Sequence, residues 1–358
     1  MNTIRLGYVG AGYLAQRVHL PNLANLEGVE LAALAEVRPK LGELVRARFG
    51  IPKLYADHKA LAADATLDGV CLSGHFAGQG EIARELLEAG KHVFMEKPMA
   101  VSVAQAERIL AAEKKSGKRL MVGYMKRYDA GNLAVKWYLD HYRQNGELGG
   151  LTYVRQHGFC GDWIAGLDTP FIQTDEKMPP APGLTLKPGW MPDAFYDRYV
   201  GYLQQYTHNV NLVRWFLDAG EKVTVRHVDL DQEKGMAGVS ILEVAGVQCV
   251  LESGWVDHHA WDEHTQLYFH KGWVRTQAPP LLMRNACASV EVYRKGEGHV
   301  TSETFPAGGW TWSYKEEMKH FAECLRTGSP FRSPGSDALH DVRTLEEIYR
   351  QYIAAQAA

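Results

Sequence analysis

Ile4-Arg5-Leu6-Gly7-Tyr8-Val9-Gly10-Ala11-Gly12-Tyr13-Leu14-Ala15 is an apolar strand that runs into a glycine turn and then into a helical pattern. Strand, Gly10-x-Gly12-x-x-Ala15, helix is the arrangement a dinucleotide needs. Gly10 permits the tight turn. Gly12 lets the backbone approach a pyrophosphate, and Ala15 is small enough for close helix–strand packing. The N–H groups and dipole of the helix start then face the phosphates, with Tyr13 and Leu14 among the expected contacts. Glu36 stands 21 residues after Ala15, at the end of the next apolar run. A carboxylate there accepts from both adenosine ribose hydroxyls and repels a 2′-phosphate, which favours NAD. Arg38 keeps NADP possible, because a guanidinium pairs with that phosphate.

Outward from this turn, short apolar runs alternate with helical periodicity. Strands are expected over residues 4–9, 29–35, 69–73, 92–95 and 119–124. Helices are expected over 14–26, 40–49, 80–89 and 103–116, with Pro21 kinking or breaking the first. This alternation implies right-handed crossovers and a parallel doubly wound sheet. After Met125 the pattern changes. A helix is expected over 133–145, no regular structure over 160–200, and a helix over 206–217. Six consecutive β-like runs between Val223 and Arg294 fit an antiparallel sheet. Helices over 314–325 and 338–355 close the chain.

Composition narrows the class. The chain has 358 residues, 46% hydrophobic and 23% charged, with net charge −3. No basic block suggests a nucleic-acid partner. Cys71, Cys160, Cys249, Cys287 and Cys324 form no Cys-x-x-Cys pair and read as reduced thiols. No apolar stretch is long enough to span a bilayer, and the first residues enter a strand without a basic, apolar leader. A cytoplasmic protein without membrane contact is expected.

His92-Val93-Phe94-Met95-Glu96-Lys97-Pro98 puts a lysine at the carboxyl end of a parallel strand, the edge that carries ligands in open α/β sheets. Lys97 can hydrogen-bond a substrate hydroxyl and stabilise the alkoxide that develops as hydride leaves. In isolation Glu-Lys-Pro would read as a solvated turn. The stretch Glu88 to Pro98, the glycine turn followed by His19-Leu20-Pro21, the spacing between them, Gly123-Tyr124-Met125-Lys126-Arg127-Tyr128 and the segment 321–349 together resemble the Gfo/Idh/MocA family of oxidoreductases. The resemblance implies an α/β protein with an N-terminal Rossmann domain. It also implies a C-terminal α/β domain with an open, mainly antiparallel sheet. The boundary is placed at residue 124: 1–124 for the dinucleotide and 125–358 for substrate binding and oligomerisation. A small sugar, inositol or polyol substrate, a homo-oligomer (dimer or tetramer) and an often cis Lys97–Pro98 bond follow from the same likeness. So do cofactor contacts at Glu96, Lys97 and Arg127 and a substrate contact at Tyr124.

The family usually carries Asp-x-x-x-His at a helix start in its second domain. Here Gln204 stands at the aspartate position and His208 at the histidine position. Neighbours four residues apart face one side of a helix. His208 suits a general base, since its unperturbed pKa is near ~6.5. Glutamine can only hydrogen-bond, whereas a carboxylate would raise the basicity of the histidine. Asp193, Asp197, Tyr199 and Tyr202 lie upstream as weaker acid–base candidates.

Ser73, His75 and Gln79 follow the third strand in the loop that lies against the cofactor in the family. Trp163 is the tryptophan chosen to pack on a sugar face; Trp190, Trp255, Trp261, Trp310 and Trp312 read as core or interface. Asp257, His258, His259, Asp262, Glu263, His264 and His270 invite a metal reading. Strand alternation would split them between faces, so no metal is expected.

Three functions are weighed. The first is an NAD-dependent dehydrogenase on a secondary hydroxyl of a sugar, cyclitol or sugar derivative, with Lys97 orienting the hydroxyl and His208 as base. The second is a redox-assisted glycoside hydrolase or lyase with no net cofactor turnover, kept open by Gln204. The third is a non-catalytic nucleotide sensor, which Lys97 and His208 argue against.

Overall fold

The computed structural model describes residues 3–164, 170–180, 186–257, 261–295, 300–306 and 311–356. The chain divides into two compact units. One holds Met1–Tyr124, Asp168–Asp193 and Tyr314–Val342, and the other Met125–Leu167, Ala194–Ser313 and Arg343–Ala358.

The first unit opens with β1 (Ile4–Val9), α1 (Leu20–Ala24), β2 (Val29–Ala35), α2 (Pro39–Phe49), β3 (Lys53–Tyr55) and α3 (His58–Ala62). It continues with β4 (Gly69–Leu72), α4 (Phe76–Glu88), β5 (His92–Glu96), α5 (Val103–Ser116) and β6 (Leu120–Gly123). The strands form one sheet in the order β3-β2-β1-β4-β5-β6, each pair parallel. Strand order reverses beside β1, which opens a crevice at the carboxyl edge. The strands read as unbroken apolar runs because helices cover both faces. Val70, Leu72, Val93, Met95, Leu120 and Val122 join Leu86 and Ile109 in one core.

Pro21 does not break the first helix. Ala15–His19 winds as a π-turn, with the Leu20 N–H reaching Ala15 O, and α1 follows with Pro21 in its first turn. Proline has no N–H to give, and the wider turn accommodates that gap.

The second unit contains α6 (Ala130–Asn145), β7 (Leu151–Cys160), α7 (Tyr196–Phe216), β8 (Val223–Leu230), β9 (Gly238–Val244) and β10 (Val247–Trp255). β11 (Trp261–Phe269), β12 (Gly272–Gln277), β13 (Ser289–Lys295) and β14 (Val300–Pro306) complete its sheet. The order is β14-β13-β12-β11-β7-β10-β9-β8, antiparallel except for the parallel pair β10–β7. α6 packs on β12 and β13, and α7 on β7 and β10. β7 and the first ten residues of α7 lie outside the elements expected from sequence. α8 (Ser313–Thr327) and α9 (Gly335–Gln356) end the chain. Among the described residues, no helix is long and apolar enough to cross a membrane.

Candidate functional site

The glycine turn after β1 is built for close approach. Gly10 adopts φ +100°, and a Cβ there would lie 2.5 Å from the Ser73 carbonyl oxygen. A Cβ on Gly12 would meet nothing within 4 Å. Ala15 is fully buried. The Gly10 N–H donates to Ala35 O at 2.9 Å, tying the turn to the end of β2. There Glu36 accepts from the Ala11 N–H at 2.7 Å and from the Arg38 guanidinium at 2.7 and 3.0 Å. The carboxylate that sequence assigns to ribose hydroxyls therefore also holds the neighbouring arginine.

Residues 170–176 lie beside this turn. Phe171 packs on Tyr13 with ring centroids 5.3 Å apart. The Gln16 amide exchanges two hydrogen bonds with the Ile172 backbone, each 3.0 Å. Glu176 accepts from the Lys40 and Leu41 N–H groups at 3.0 and 2.9 Å. These are first-turn donors of α2, where the helix dipole is positive.

At the carboxyl end of β5 the Lys97–Pro98 peptide is cis. Glu96 accepts from His19 Nε2 at 2.8 Å and from the Lys97 N–H at 3.1 Å. Glu317 of α8 joins them: one ligand-type atom each of His19, Glu96 and Glu317 lies within 4.8 Å of the others, all in buried side chains. Burial first, and then the Glu96 charge, push the Glu317 carboxyl well above the usual range, against an opposing pull from Lys97. Gln79 clamps this corner. Its amide donates to Glu96 O at 3.0 Å and Pro98 O at 2.9 Å, and its carbonyl accepts from the Gly74 N–H at 3.3 Å. Ser73 Oγ shares a hydrogen bond of 2.8 Å with the Tyr8 hydroxyl, and His75 stands exposed ahead of α4. Tyr124 is buried just after β6.

In the second unit His208 is buried in α7, with Gln204 half-buried one turn earlier. Lys126 and Glu263 form a buried ion pair, which Asn209 joins at 3.0 Å. Arg127 donates to Asn211 Oδ1 at 2.7 Å and lies over the Trp215 ring. Sequence reasoning put Arg127 at the cofactor; the structure gives its guanidinium these partners. Tyr199 and Tyr202 pack in the core against Tyr349, while Asp197 is exposed in the first turn of α7. Asp193 sits 3.3 Å from Lys187. Trp163 is 40% exposed. Trp310, His258 and His259 lie outside the described residues.

The first unit thus gathers the glycine turn, Glu36, the Ser73–Gln79 loop and Lys97 at one sheet edge. His208 and Gln204 belong to the other unit. Sequence reasoning named Gln79 for the cofactor but not for this clamp, and it missed the roles of His19 and Glu317. The His19-Leu20-Pro21 match was a signal for the first, and nothing in the local pattern marks the last.

Comparison with known proteins agrees with this architecture. Residues 4–124 match the model of an oxidoreductase family with an NAD-binding Rossmann fold, GFO_IDH_MocA. An inositol 2-dehydrogenase of Salmonella paratyphi B is 32% identical over 171 residues, 47% of this chain and 49% of that one. The match to such relatives thus spans about half their length. A myo-inositol 2-dehydrogenase of Thermotoga maritima is 24% identical across 93% of this chain and 92% of its own. A 3-ketoreductase from Actinomadura kijaniata, solved with NADP and TDP-benzene, shares the fold at TM-score 0.73 and 20% identity over 98% of both chains. Residues 4–124 are thus similar to the NAD-binding Rossmann portion of the Gfo/Idh/MocA oxidoreductases, and the likeness to the Thermotoga maritima enzyme runs through both units.

Proposed function

We propose that the protein is an oxidoreductase that moves hydride between a secondary hydroxyl of a sugar, cyclitol or sugar derivative and a nicotinamide cofactor, with NAD preferred. The observation that carries this reading is the carboxyl edge of the first sheet. It brings together a glycine cradle after β1, a ribose-type carboxylate after β2 and a lysine after β5. The cradle fits a dinucleotide: Gly12 leaves open space where a pyrophosphate would approach, and Gly10 has no room for a side chain. Two features favour NAD. Arg38, the natural partner of a 2′-phosphate, is held by Glu36, and the first-turn N–H groups of α2 are held by Glu176.

Nicotinamide bound there supplies the hydride acceptor. Lys97 is assigned to hydrogen-bond the reacting hydroxyl and to stabilise negative charge on its oxygen. Its backbone is set by Glu96, and the Glu96–Pro98 corner by Gln79. His208 is assigned the hydroxyl proton, with Gln204 as a hydrogen-bonding neighbour. The open sheet of the second unit is the proposed surface for homo-oligomers.

Gln204 favours a second reading, redox-assisted cleavage of a glycoside with the cofactor restored at the end. A polyol and inositol panel with NAD and NADP tests the first by NADH absorbance. Lys97→Met should lower kcat by about 10²–10³-fold. Aglycone release from nitrophenyl glycosides without net NADH would shift the assignment to the second reading. Silence in both assays would sink both.

A further inference from the structure

We propose that the face of the eight-stranded sheet turned away from α6 and α7 carries a site for a zinc-class transition-metal ion, with His157, His264 and Asp262 as ligands. Three adjacent strands build it. Register sets Glu252 of β10 opposite His157 of β7, and His157 opposite His264 of β11. Side chains paired this way on one face stand in contact across the strands. Asp262 lies two residues before His264, so it emerges on the same face, while Glu263 between them points to Lys126 and Asn209. Alternation therefore separates Glu263 from the cluster but brings Asp262 and His264 together. His157 comes from a strand some hundred residues earlier, outside the Asp257–His270 cluster that suggested a metal in the sequence.

The donor atoms converge. His157 Nε2 is 3.3 Å from Asp262 Oδ2, and His264 Nδ1 is 3.5 Å from Asp262 Oδ1. One donor atom from each of the three residues lies within 4.8 Å of the others. The opposite nitrogen of His157 is already committed: Nδ1–H donates to Glu252 Oε2 at 2.5 Å. A carboxylate on the far nitrogen fixes the tautomer and directs the lone pair of the near one, as around histidine-bound metals. Arg155 holds Glu252 in turn, 2.9 Å away.

An independent observation points to a ligand. His264 is only 8% exposed, and its Nδ1, aimed at this cluster, has no hydrogen-bond partner. A buried polar atom left unsatisfied is costly, and a metal ion would satisfy it. Two imidazoles and one carboxylate, with a fourth position for water, match the donor set of zinc, and imidazole donors disfavour calcium or magnesium.

The test uses the full chain without a histidine tag, stripped with chelator and titrated with zinc chloride by calorimetry. One zinc per chain is expected. His264→Ala and Asp262→Asn should each weaken binding by about tenfold or more, and Glu252→Gln by about 10–100-fold. The Asp262 side chain is 59% exposed, so Asp262→Asn keeps the fold and separates lost ligation from misfolding. Zinc should also raise the Tm of the parent chain and not that of His264→Ala. No uptake by the parent chain, or uptake by Asp262→Asn and His264→Ala equal to the parent, would overturn the proposal.

Discussion

Glu317 has no exposed surface, and neither of its carboxylate oxygens has a hydrogen-bond partner. With Glu96 beside it, two carboxylates in a dry site cannot both ionise, and one keeps a proton. The sign of the pH effect follows. The folded state holds a proton that the unfolded chain releases near ~4.3, so this contribution to stability is present at acid pH and is lost as pH rises. Glu317→Gln mimics the neutral acid and removes the loss. Its Tm relative to the parent should climb from about pH 5 to about pH 9, read by calorimetry. A constant difference across that span would show that Glu317 is ionised in the fold. Lys97 and His208 could be proposed from sequence because each sits in a motif with fixed spacing. Glu317 could not, since Glu316 and Glu317 look alike in the sequence and only packing decides that the first is half-buried and the second fully buried.

Local pattern decides which elements could be read. α5 matches its expected bounds because Ser102 caps it, Gly117 stops it and one face is apolar. The start of α7 was missed although Tyr199, Tyr202, Leu203 and Tyr206 fall at i, i+3, i+4 and i+7 on one buried face, because the Pro-, Gly- and Trp-rich run before it hides where the helical period begins. β7 hides for a related reason. Its buried face carries Gln156 and Gly158, and its other face carries Tyr153, Phe159 and His157, so hydrophobicity does not report which face is inside. Nothing local announced that residues 170–176 contact the π-turn and α2. That contact bears on cofactor choice. Glu36→Gln with Glu176→Gln frees the Arg38 guanidinium and two α2 N–H groups for a 2′-phosphate. Charge-assisted hydrogen bonds contribute ~1.5–3 kcal/mol each, so the NADP-to-NAD ratio of kcat/KM should rise by about tenfold or more. An unchanged ratio in steady-state kinetics would remove both residues from cofactor selection.

At the scale of the molecule, acid should weaken the first unit through two histidines. Burial, then Lys118 and Arg119, lower His92 to about 4, and burial, then Arg332, lower His320 to about 4. Each imidazole accepts a backbone N–H, from Arg119 at 3.2 Å and from Arg332 at 3.0 Å, and protonating that nitrogen destroys the acceptor. The unfolded chain takes up these protons near ~6.5, so stability present above that pH falls as pH drops toward about 4. Tm should decline over this interval, and His92→Asn with His320→Asn should flatten the decline; parallel curves would contradict the assignment. The doubly wound and antiparallel sheets were readable at this scale because alternation and consecutive β runs are local signals that repeat. The returns of 168–193 and 314–342 to the first unit were not, because periodicity reports neighbours in sequence and not partners in space. Those returns constrain any chimera. The Ser333 hydroxyl donates to Val122 O at 2.7 Å, Met121 pairs with Pro334, and Ala338, Leu339 and Val342 fill the core beneath β5 and β6. A graft that carries only residues 1–124 onto a foreign partner domain would inherit a sheet with an uncovered apolar flank. Shuffling this nucleotide module means transplanting three interleaved pieces of chain, so it is inherited as a woven whole and not as a detachable front half.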